Sequence, residues 1–143
     1  MDIKMTTRLA MLATALFLSA CFTGRANDSE LYADRAINLG WIAGALQGLV
    51  DFGNPADGLT GEALIIEATK DNPRLLDPLA EFYVIGRTVG DYSSVLMCDG
   101  ERKRALAEDA GCTSTKLDAR LWDKSPSIPC AFQLDIVAIC SGK

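Results

Sequence analysis

The chain has 143 residues, a net charge of −5 and no histidine. Its acidic balance argues against a nucleic-acid ligand and against a polybasic lipid-binding face. The missing imidazole removes the usual general base, the Ser-His-Asp arrangement and the commonest metal ligand.

Residues 1 to 8 carry Lys4 and Arg8, and Leu9 to Phe22 then holds no charged side chain. A basic start followed by an apolar run ending in small residues predicts a secretory signal over residues 1–20. The run is shorter than the ~20 residues needed to span a bilayer. Leu18-Ser19-Ala20-Cys21 resembles the bacterial lipobox at all four positions. That resemblance implies cleavage before Cys21 and attachment of diacylglycerol and palmitate-type chains to it. Phe22 in place of an inner-membrane retention aspartate implies the outer membrane. Plain secretion with cleavage after Ala26 is the alternative. Residues 21–28 then read as a tether, and 29–143 as one domain.

Ser29 to Phe52 reads as one long helix, capped at Asp28 or Ser29 and closed by Gly53 in a left-handed turn. It is apolar on nearly all sides, which predicts burial. Gly40, Gly44 and Gly48 recur every fourth residue, and the expectation is that another helix packs closely on that stripe. Residues 53–60 hold Asn-Pro and Asp-Gly turn signals. Thr60 caps a second helix, Gly61 to Lys70, whose inner face carries Leu64, Ile65 and Ala68. Asp77-Pro78 reads as the start of a third helix running to Met97, with Gly86 and Gly90 as a second small-residue stripe.

Beyond Cys98, residues 101–110 are expected to form a short helix stopped at Gly111. Thr113 or Ser114 starts another through Trp122. Alternation of Phe132, Leu134 and Ile136 with Gln133 and Asp135 predicts a strand near 131–139, a helix being the alternative. The fold class expected is therefore mainly α: about five helices with a disulfide-stapled C-terminal part.

Removing Cys21 leaves Cys98, Cys112, Cys130 and Cys140, an even set in an exported chain, which reads as two disulfides. No Cys-x2–4-Cys spacing supports zinc, and no Cys-x-x-Cys supports redox catalysis. Three pairings are open, and Cys98–Cys112 with Cys130–Cys140 is favoured as closing the shortest loops. Asp51, Asn54, Asp57 and Glu62 invite a calcium loop. Placing Gly58 at its sixth position, however, puts Gly53 and Pro55 where ligands belong. No metal, no cofactor and no catalytic residue is expected. Arg87, expected to pair with Asp91 one helical turn on, and the run Arg102-Lys103-Arg104 are the candidate partner-binding residues.

Gly40-Trp41-x-x-Gly44, a helix ending at Asn72-Pro73, and a third helix resemble type VI secretion amidase immunity proteins. The cysteines those proteins carry near these helices are missing here. The function expected is a non-catalytic, lipid-anchored periplasmic protein of the bacterial envelope that binds or inhibits another envelope or secreted protein. Immunity to a toxin is one form. The alternatives are a structural subunit of a secretion or conjugation machine, and an enzyme working through carboxylates.

Overall fold

A computed structural model describes residues 28–53, 58–112, 120–121 and 128–142. The signal, Cys21 and most of the tether lie outside the described residues. So do Asn54, Asp57 and, of the helix expected from Thr113 or Ser114 through Trp122, all but Arg120 and Leu121, which form a strand instead.

Helix α1 spans Asp28–Phe52 and helix α2 spans Gly61–Thr69, both close to the sequence reading. Thr60 takes the extended backbone of an N-cap, though its hydroxyl makes no capping bond. Gly53 does not adopt a left-handed conformation. A Cβ there would strike the Leu49 carbonyl at 2.5 Å, so close approach is what requires glycine.

The third helix is absent. Pro73–Leu79 forms a 3-10 helix, and the chain then turns into strand β1, Tyr83–Val89, and strand β2, Tyr92–Cys98. Val89 pairs with Tyr92, which leaves a two-residue connection at Gly90-Asp91 with φ +60° at Gly90. Glycine first in a two-residue loop matches the right-handed twist of the strands it joins. Val84, Ile85, Thr88, Val89 and Val95 supply the β-branched side chains that favour a pleated sheet. The expected 101–110 helix is likewise replaced: residues 99–104 make a hairpin turn and Ala105–Ala110 is strand β3. Arg120–Leu121 adds a short strand β4, giving an antiparallel order β1-β2-β3-β4. The tail is not a strand. Ile136–Cys140 is a short helix, α3, whose first turn Asp135 caps by accepting from the Ala138 amide at 3.1 Å. The protein is therefore a mixed helix-and-sheet domain, not mainly α.

Two layers cover the sheet. On one face Leu39, Ile42, Ala43 and Leu46 of α1 and Leu64 and Ile65 of α2 meet Val95, Met97 and Ala107. Gly86 leaves room for them, because a Cβ there would lie 2.9 Å from Ile65 and 3.0 Å from Leu46. On the other face Leu96, Cys98 and Ala105 pack against Ile128, Cys130 and Phe132, and Ala110 packs against Ile136 and Cys140. Side chains of successive strand residues point to opposite faces, so covering both faces buries every residue of β3 and all of β2 but Tyr92.

Both disulfides fasten the second layer, joining Cys98 to Cys130 and Cys112 to Cys140. The four late cysteines are thus all paired, but the favoured neighbour pairing is wrong. Cys98 points at the layer that residues 128–142 form, so it meets Cys130 there.

The glycine stripe also departs from expectation. A Cβ on Gly44 or Gly48 would meet no described atom within 4 Å, so no described helix packs there. Gly44→Ala then adds no clash and removes the conformational freedom of glycine, and should stabilise the fold by about 0.5–1 kcal/mol. Urea unfolding measures it, and a loss of stability would show that something does cover the stripe.

Candidate functional site

Leu39, Ile42, Ala43 and Leu46 turn inward, so the residues half a helical turn away turn outward. Ile37, Trp41, Gly44, Gly48 and Phe52 follow one another at three- or four-residue steps and form a single stripe on that outer side. Trp41 is 50% exposed, Phe52 92% and Ile37 39%. Large apolar side chains gathered on one exposed face mark an interaction surface more often than isolated ones do. Sequence reasoning finds the glycines of this stripe but assigns them to internal packing; it names Trp41 only within the resemblance to immunity proteins and does not single out Ile37 and Phe52. The signal was the apolar character all round α1, since a helix lying on one sheet can bury only one side.

Charge frames the stripe. Asp34 and Asp51 lie on its margins at either end, and both are exposed. Gln47 ties Asp91 to the same region: its amide nitrogen donates to the Asp51 carboxylate and to the Asp91 carbonyl, each at 2.8 Å. The Gln47 side-chain oxygen accepts from the Ser93 amide and hydroxyl at 3.0 and 2.9 Å. Arg35, the only basic residue of α1, pairs with Glu81 at 3.3 Å, away from the stripe.

The candidate basic run sits in the β2–β3 turn and is neutralised by its neighbours. Arg102 pairs with Glu62 at 3.6 Å, Lys103 with Glu101 at 2.6 Å and Arg104 with Asp99 at 3.3 Å. The Arg102 guanidinium also stacks on Tyr83 at 4.0 Å. Burial alone would push the Asp99 carboxyl up, but the Lys103 and Arg104 amides and the Arg104 side chain together hold it below its ordinary value. These contacts build the turn, and they leave little net positive field for a partner.

Arg87 is also in structural use. It lies on β1 and reaches across the sheet, not along a helix to Asp91. It donates to the Ser94 hydroxyl at 2.9 Å, to Glu108 at 3.2 Å and to the Leu134 carbonyl, while stacking over Phe132 at 4.5 Å. Glu108 has a fully buried side chain, and its second oxygen accepts from the Gln133 and Leu134 amides at 2.7 and 3.1 Å. Burial raises the Glu108 pKa, opposed by those two amides and by Arg87. This clamp holds the C-terminal layer on the sheet. Sequence reasoning missed Glu108 because an ERKRALAEDA helix would have left it in solvent.

Among the described residues no group of His, Cys, Asp or Glu side chains could hold a metal ion, and no helix is long and apolar enough to cross a membrane. Compared with known proteins, the chain matches no family model, no curated protein and no solved structure.

Proposed function

We propose that this chain is a non-catalytic binding protein of the bacterial envelope, attached by lipid at Cys21, that engages another envelope or secreted protein through the outer face of α1. The observation that carries the reading is the exposed stripe Ile37, Trp41 and Phe52 on a helix whose opposite side is locked into the core. Exposed aromatic side chains are the usual anchors of protein interfaces. The two disulfides fit an oxidising compartment, and hence export. The charged side chains that sequence reasoning singled out, Arg87 and Arg102 to Arg104, are held in internal ion pairs. That leaves the apolar face as the better candidate for contact. Inhibition of a secreted toxin is one form such binding takes.

A photo-cross-linking residue at position 48 tests the reading in cells. One dominant adduct with a soluble partner, identified by mass spectrometry and lost in Trp41→Ala, is the expected result. No adduct would overturn the reading, and adducts with several membrane components would favour a structural subunit. Labelled fatty acid should enter the wild type but not Cys21→Ser. A wild type that takes up none is not lipid-anchored.

A further inference from the structure

The outer face of α1 has a shape as well as a composition. Trp41 and Phe52 bound its middle, and between them Gly44 and Gly48 present backbone with no described atom within 4 Å of where a Cβ would lie. Eleven residues separate the two aromatics, which at a 1.5 Å rise per residue is about 16 Å along the axis. A helix with its side chains is ~10–12 Å across, so one helix laid across the gap fits between the aromatic ridges. The glycines let its backbone approach more closely than larger residues would.

Charge says what that helix carries. Asp51 stands at the Phe52 end of the saddle, where Gln47 also binds the Asp91 carbonyl, and Asp34 lies about two turns beyond Trp41 at the other end, whereas the only arginine of α1 is engaged with Glu81. We propose that the saddle at Gly44 and Gly48 seats a helix of a partner protein that is apolar or small where it crosses and carries lysine or arginine on both flanks. A second copy of this chain fits worse, because its own Asp34 and Asp51 would meet the same two carboxylates across the interface. The inference rests on the binding role proposed above and specifies the partner's chemistry at that site. A single helix crossing buries a small interface, of the transient class below about 1,200 Å². The opposite charges on its rim are expected to speed association and make it salt-sensitive.

A displayed library of about five-turn amphipathic helices, varied at crossing and flanking positions, tests this on the full oxidised chain. Selected helices should carry Lys or Arg on both flanks, lose about tenfold in affinity at 0.5 M salt, and lose at least as much against Gly44→Leu. Gly44→Leu should stay folded, since its Cβ has open space, and its circular dichroism and melting curve check that. Acidic or neutral flanks, equal binding to Gly44→Leu, or no enrichment would overturn the proposal. So would sedimentation showing a wild-type dimer that Gly44→Leu dissociates. A cross-linked partner at position 48 with none of the selected chemistry would sink the helix while leaving the binding role standing.

Discussion

Glu108→Ala should destabilise the protein by about 3–4 kcal/mol, the largest effect expected of any single side chain outside the apolar core. Breaking a buried ion pair from one side strands the other charge, at a typical cost of about 3–5 kcal/mol. Here Arg87 keeps partial access to water, which places the effect toward the lower end. The same substitution leaves the Gln133 and Leu134 amides without their acceptor. Glu108→Gln retains one acceptor and should cost less. Urea unfolding of both variants checks the order, and a Glu108→Ala loss under 1 kcal/mol would show that the clamp is dispensable. The pH dependence has a definite sign. Burial raises the folded pKa of Glu108 above its unfolded value. Its contribution is therefore fully present below the ordinary glutamate pKa and is lost as pH rises through the raised one. The stability difference between wild type and Glu108→Gln should shrink over that window.

Removing either disulfide is the second large effect. The pairs span 32 and 28 residues, and the chain-entropy model assigns each about 3.5–4 kcal/mol. The double variants Cys98→Ala/Cys130→Ala and Cys112→Ala/Cys140→Ala should each lose about that much. Hydrogen exchange should rise first at residues 128–142, the layer the bridges fasten. Faster exchange in α1 and α2 ahead of that layer would contradict the arrangement. Non-reducing peptide mapping should return Cys98 linked to Cys130 and Cys112 linked to Cys140.

The two helices were legible in the sequence because their boundaries are marked locally, by Thr60 before α2 and by the turn residues after Phe52. The sheet was not. Strands covered on both faces have no polar alternation to betray them, and Tyr92–Cys98 is such a strand. Five of the six residues of Ala105–Ala110 are Ala, Leu or Glu, strong helix formers, and burial between two layers makes the segment a strand. Gly90-Asp91 between Val89 and Tyr92, both good strand formers, is the one local signal of the hairpin, and Asp77-Pro78 as a helix start competes with it. The candidate site was half visible. Spacing revealed the glycine stripe, but which side of an apolar helix faces outward depends on what else packs there. The cysteine partners depended on the sheet in the same way.

The two bridges interleave along the chain, since Cys112 lies between Cys98 and Cys130, and Cys130 lies between Cys112 and Cys140. If oxidation followed the order of synthesis, Cys98 and Cys112 would be free to link before either native partner was available. Neither native bond can then form until that link is exchanged, because it occupies one thiol of each. On such a path, closing the C-terminal layer would require disulfide exchange as well as oxidation.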